Sequence, residues 1–109
     1  MANTFKLKTK ANVGVSTVGI YTAPAATTTV VIGITMANTS GSGVNVGVGI
    51  TRAGTTEDVK LLKNAPIPQG SSLEFMAGNK IVLEATDTVT VDCDTNNSID
   101  AALTIMEIT

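Results

Sequence analysis

Apolar and polar residues alternate with a period of two along almost the whole chain. No stretch keeps helical spacing over the ten or so residues that an amphipathic helix requires. Phe5 and Leu7 alternate with Lys6 and Lys8 in a short first strand. Val18 and Ile20 mark a second, which stops at Tyr21-Thr22-Ala23-Pro24 because proline cannot donate to a ladder. Val30, Ile32, Ile34 and Met36 alternate through a third. Asn38-Thr39-Ser40-Gly41-Ser42-Gly43 then forms a turn, built from residues that tolerate or require positive φ. Val44, Val46, Val48 and Ile50 form a fourth strand, and Arg52-Ala53-Gly54-Thr55-Thr56 reads as a loop before a strand near Asp58–Lys63. Pro66 and Pro68 flag an edge or irregular segment ahead of Gln69-Gly70. Further strands are expected at Ser72–Met76, Lys80–Glu84, Thr88–Cys93 and Ile99–Ile108, with Asn96-Asn97 turning the last hairpin. Eight or nine short strands with regular turns predict an all-β protein, a single antiparallel β-sandwich or jelly roll. One domain covers 1–109, with 1–10 a basic first strand or arm, and there is no linker, second domain or internal repeat.

The third and fourth strands invite a sharper expectation. If Ile32, Ile34, Met36 and the valines of Val44–Ile50 face the core, then Val31, Gly33, Thr35 and Ala37 face outward, as do Asn45, Gly47, Gly49 and Thr51. Antiparallel pairing of the two strands places Gly33 opposite Gly49, or opposite Gly47 after a two-residue shift. Either register leaves bare backbone on an outer face, suited to docking a neighbour; the competing reading is that small residues only permit twist or a bulge. Thr28–Met36 is β-branched, apolar and uncharged, an aggregation hazard unless it is covered or central.

Charge sharpens the picture. Between Lys10 and Arg52 lie forty-one residues without one charged side chain. A soluble surface normally carries about one charged residue in four. Gly, Thr, Ser, Asn and Pro break every apolar run far short of the roughly 18 residues of a membrane span, so the segment suits packing against protein rather than lipid. Lys6, Lys8 and Lys10 sit at the front, whereas Glu84, Asp87, Asp92, Asp94, Asp100 and Glu107 follow Ile81 with no Lys or Arg among them. A basic first strand beside an acidic patch is expected, in the same subunit or the next. The net charge of −2 argues against a nucleic-acid binder. The lysine stripe is read as a solvated or ion-paired edge that discourages aggregation, rather than as a phosphate track.

Candidate chemistry is sparse. With no His, the commonest general base and metal ligand is missing. No carboxylate or lysine stands at a recognisable spacing to activate a Ser or Thr, so no enzyme activity, cofactor or metal is expected. Asp92-Cys93-Asp94-Thr95-Asn96-Asn97-Ser98 looks like the start of a calcium loop, but has Asn97 where the glycine belongs and Leu103 where the bidentate Glu belongs. It reads as a solvated turn. The single Cys93 runs in phase with Val89 and Val91 and is expected to be a small buried hydrophobe. Only Phe5, Tyr21 and Phe75 are aromatic, too few for the platforms of a sugar-binding sandwich, so Val, Ile, Leu and Met must fill the core. The opening MANTFKLKTK lacks the apolar stretch of a signal peptide, which implies synthesis and assembly in a cytoplasm.

The run Ile20–Val46, IYTAPAATTTVVIGITMANTSGSGVNV, resembles a family of small β-sandwich virion proteins of tailed bacteriophages, notably marine and cyanobacterial ones. Leu62–Leu73, LKNAPIPQGSSL, fits the same family, as do Lys80–Val91 and the closing Met106-Glu107-Ile108. Glycine commonly follows Pro-Ala at the Tyr-Thr-Ala-Pro corner of such sequences; here Ala26 stands there. The resemblance implies a non-enzymatic virion component present in many copies. It would be a head decoration or cement protein on the major capsid protein, or else a neck, tail or baseplate accessory. A ligand- or glycan-binding module is the distant alternative. The uncharged Ala11–Thr51 half suits side-by-side contacts in a symmetric homo-oligomer, and the resemblance favours a trimer. The expected interface residues are Gly33, Thr35, Asn45, Gly47 and Gly49, with Lys6, Lys8 and Lys10.

Overall fold

The computed structural model describes residues 3–75 and 80–109. Nine strands follow one another: β1 (Asn3–Val13), β2 (Val18–Thr22), β3 (Thr28–Asn38), β4 (Val44–Arg52), β5 (Glu57–Ile67), β6 (Ser72–Phe75), β7 (Ile81–Leu83), β8 (Thr88–Cys93) and β9 (Ile99–Ile108). The expected strand end at Met76 lies outside the described residues. All pairings are antiparallel and fall into two sheets, one ordered β1-β9-β3-β6 with β7 also on β3, the other β2-β8-β4-β5. β6 and β7 lie end to end along β3, the first beside Ile34–Ala37 and the second beside Thr29–Val31, and so act as one interrupted strand. Four strand positions per sheet in this order make an eight-strand jelly roll.

Among the described residues, β4 and β5 are the only consecutive strands that pair with each other. The turns at Asn38–Gly43 and Asn96–Asn97 carry the chain from one sheet to the other. The latter is therefore not the hairpin that its residues suggested. The first crossing is anchored by buried Asn38, whose Nδ2 donates to Ser42 O at 2.8 Å and Ile67 O at 3.0 Å. Its Oδ1 accepts from Ser40 N at 2.9 Å, so a buried amide is fully used while it ties together β3, the turn and β5.

The core lies between the sheets. Ile34, Met36, Ile99, Leu103 and Ile105 of the first sheet meet Val46, Val48, Ile67 and Val91 of the second, all nearly inaccessible. Leu83 and Val13 close its ends. Cys93 is buried as expected, with its Sγ–H donating to Thr95 O at 2.9 Å.

Two local shifts change which way side chains point. The β3–β9 register slips between Val31 and Gly33, so the inward set is Thr29, Val31, Ile34 and Met36. Ile32 stands on the bulge. The even alternation expected through Val30, Ile32, Ile34 and Met36 therefore fails at its first half, and Val31, expected outward, is buried. A second slip, between Lys10 and Val13, passes through Asn12 at φ 58° and turns Val13 into the core. The Tyr-Thr-Ala-Pro corner holds Ala26 at φ 57°, a left-handed conformation that explains a preference for glycine there.

Candidate assembly surface

β1 is the edge of the first sheet and, among the described residues, pairs only with β9. Cross-strand partners share a face, so the register fixes which way its side chains point. Lys6 lies opposite Ile105, Lys8 opposite Leu103 and Lys10 opposite Ala101, all three partners being buried. The lysines thus occupy the inner side of the edge, over the rim of the sandwich. Phe5 and Leu7 point out, 69% and 65% exposed. The solvent side of this strand is its apolar side, the reverse of what alternation with a hydrophobic core leads one to expect.

The reason lies at the rim. Glu107 is buried, and its Oε1 accepts an ion-paired contact from Lys6 Nζ at 2.8 Å. Its Oε2 accepts from the Tyr21 hydroxyl at 2.6 Å, and that hydroxyl also lies 2.8 Å from Thr29 Oγ1. Lys8 Nζ stands 6.0 Å from the centroid of the Tyr21 ring. The Lys6 hydrogen bond above all, and the Tyr21 one after it, hold the Glu107 carboxyl below the usual range. Burial, reinforced by the bond to Glu107, pushes the Tyr21 phenol up to about 12. This joins the basic start of the chain to its acidic end within one subunit, in line with the charge asymmetry of the sequence.

On the outer face of the first sheet, register aligns Phe5, Met106, Val30 and Val82 in one row across four strands. Leu7, Thr104 and Gly33 form the next row, and Thr9, Ala102, Thr35 and Glu74 the one after. Asn3, Ile108 and Thr28 lie on the other side of the Phe5 row. Of the described strand residues on this face only Glu74 and Asp100 are charged, and both lie toward the end away from Phe5. A Cβ on Gly33 would meet nothing within 4 Å.

Gly47 and Gly49 answer to a different cause. They sit on the outer side of the second sheet, buried by their own chain. The β4–β5 register slips on either side of Val48, so that β5 carries Leu61 as an extra residue and sets Lys63 and Asn64 against Gly47 alone, with Asn64 at φ 56°. A Cβ on Gly49 would stand 2.8 Å from Val59 O of β5, and one on Gly47 2.5 Å from the Asp92 Oδ1 of β8 and 3.3 Å from Leu62 O of β5. The bare backbone is filled from within. Charged Asp58, Lys60 and Asp92 share this outer face, where Lys60 Nζ lies 4.0 Å from Asp92 Oδ2.

The eight residues expected to share one interface are therefore divided. Gly33 and Thr35 lie on the outer face of the first sheet, the three lysines on the inner side of its edge, and Asn45, Gly47 and Gly49 on the second sheet. Gly33 does not oppose Gly49 or Gly47, because β3 and β4 belong to different sheets. Phe5, Leu7, Val30, Val82 and Met106 were not singled out by their types. The signal that points to them is the pairing of a lysine-bearing strand with the strand that ends in Glu107.

Among the described residues no group of three or more His, Cys, Asp or Glu is placed to hold a metal ion, and no helix is long and apolar enough to cross a membrane. No protein-family model matches the chain, and no curated protein sequence does. Solved structures do. A chain of Bacillus endospore appendages, described as disulfide-linked pili, is 15% identical over 99% of this chain and 87% of its own, at a TM-score of 0.57. A chain of the infectious bursal disease virus Gx strain is 14% identical over 97% of this chain, at a TM-score of 0.54; the match covers 29% of that longer chain. These likenesses bear on the fold, and agree with the jelly roll read from the strand order.

Proposed function

We propose that this chain is a non-enzymatic structural subunit of a virion, held there by repeated protein–protein contacts, and that it acts as a decoration or cement protein on a bacteriophage head. The observation that carries the reading is the outer face of the first sheet. Its rows from Asn3 to Leu7 place Phe5, Leu7, Met106, Val30 and Val82 together with no charged strand residue among them. Exposed apolar patches of this kind mark contact surfaces. The sequence resemblance supports the phage assignment, and the jelly-roll likeness to chains of a pilus and a virus supports a role in assembly. Cysteine cross-links form no part of this reading, since Cys93, the one cysteine, is buried.

Immunogold labelling of intact particles with an antibody to the purified protein tests the reading. Label over the head supports decoration. Label confined to neck or tail replaces it with an accessory role there, and particles without label remove the virion assignment.

A further inference from the structure

We propose that the Phe5 end of this outer face packs against the same rows of a second copy of the chain, about a two-fold axis. The inference deepens the structural-subunit reading and rests on it for its biological setting, though the contact itself is a property of the isolated protein.

Two features of the surface favour a second copy over an unlike partner. The first is charge. The strand residues of the rows Asn3–Ile108–Thr28, Phe5–Met106–Val30–Val82 and Leu7–Thr104–Gly33 carry none; Lys80 and Glu84 flank Val82 only at the margin, where Glu84 is held by Arg52 at 2.8 Å, so the centre of the face opposes itself without like-charge pairs. Glu74 and Asp100 lie beyond these rows, and an axis through the Phe5 and Leu7 rows carries the acids of the two copies to opposite outer ends. An isologous contact needs just such a self-matching patch, whereas a three-fold ring joins two unlike ones.

The second is the state of the edge. A free edge strand is the usual alternative route to self-association, by adding strand to strand. Here β1 carries Lys6, Lys8 and Lys10 along one side. An antiparallel β1–β1 pairing sets these lysines against one another, so edge addition is disfavoured and stacking of faces remains. The outer face of the second sheet, with Asp58, Lys60 and Asp92, has no comparable uncharged area.

Area sets the strength of the contact. Four strand positions at about 4.8 Å spacing and three rows about 6.8 Å apart give roughly 400 Å² of plane, about half of the roughly 800 Å² per partner of a standard stable interface. The contact is therefore a reversible one, strengthened by repetition in an assembly.

Sedimentation velocity on the full chain, from about 1 µM to about 1 mM, covers the weak affinities of a reversible contact. The wild type is expected to pass from monomer to dimer across that range. Phe5→Lys with Leu7→Lys is expected to weaken the dimer at least about tenfold, while Val15→Lys, in an exposed loop, leaves it unchanged. Should the double variant fail to fold by circular dichroism, oxidation of Leu7→Cys decides: an inter-copy disulfide is expected there, and none with Thr51→Cys on the other sheet. A wild type that stays monomeric throughout, a trimer, or a dimer indifferent to charge at Phe5 and Leu7 overturns the proposal. Immunogold label on particles would in that event still stand, and would assign the face to an unlike virion protein.

Discussion

Lys6 Nζ and Glu107 Oε1 stand 2.8 Å apart across the rim of the sandwich, and their contact matches the register that turns alternate side chains of Asn3–Lys10 inward. With the lysine turned inward to a buried carboxylate, Phe5 and Leu7 have only the outside left. One ion pair thus joins the fold to the surface on which the proposed function rests.

The same pair predicts how stability depends on pH. Glu107 has a folded pKa below its ordinary value of 4.5, so its contribution is present above that value and is lost as pH falls through the folded one. Tyr21 is raised from 10.0 to about 12, so its contribution is present below 10 and is lost as pH rises toward 12. Urea midpoints should therefore be flat between about pH 5 and 10 and decline on both sides.

Lys6→Met removes the largest cause of the lowered Glu107 pKa. A cost of about 1–2 kcal/mol at neutral pH is expected, because a buried carboxylate keeps Tyr21 but loses its charged partner. The folded Glu107 pKa should move back toward 4.5, so the fall in stability below about pH 4.5 should be shallower than in the wild type. Equilibrium denaturation at several pH values measures both effects.

Glycines on the two sheets should respond in opposite ways. Gly49→Ala drives a methyl group to 2.8 Å from Val59 O and should cost more than about 2 kcal/mol or prevent folding. Gly33→Ala meets open space and should leave the thermal midpoint unchanged or raise it, since glycine in a strand interior is itself unfavourable by roughly 0.5–1 kcal/mol.

Ala26 sits at φ 57°. A left-handed backbone costs a residue with a Cβ about 1–2 kcal/mol, part of which glycine returns through its freer unfolded chain. Ala26→Gly should stabilise the protein by up to about 1 kcal/mol, an increase of a few degrees in Tm by calorimetry.

Much of this was legible in the sequence, for local reasons. Alternation placed the strands, the Asn38 and Asn96 turns broke where they were expected to, and the phase of Val89, Val91 and Cys93 buried the thiol. Sheet membership was not legible, because β3 and β4 are joined by a short turn that could serve a hairpin or a crossing equally well. The outward turn of Phe5 was hidden too: it depends on Glu107 at the far end of the chain. At Gly47 and Gly49 the close approach comes from the same subunit: β5 backbone at Gly49, and the Asp92 side chain of β8 with β5 backbone at Gly47. Ile32 betrays no bulge in a run of β-branched residues.

The central claim is that the uncharged outer face of the first sheet is covered in the working assembly. Hydroxyl-radical footprinting of particles carrying the protein, set against the isolated subunit at low concentration, tests it most directly. Phe5, Leu7 and Met106 should lose reactivity on assembly while Val15, in an exposed loop away from this face, keeps its own. Equal labelling of Phe5, Leu7 and Met106 in the two states would contradict the account.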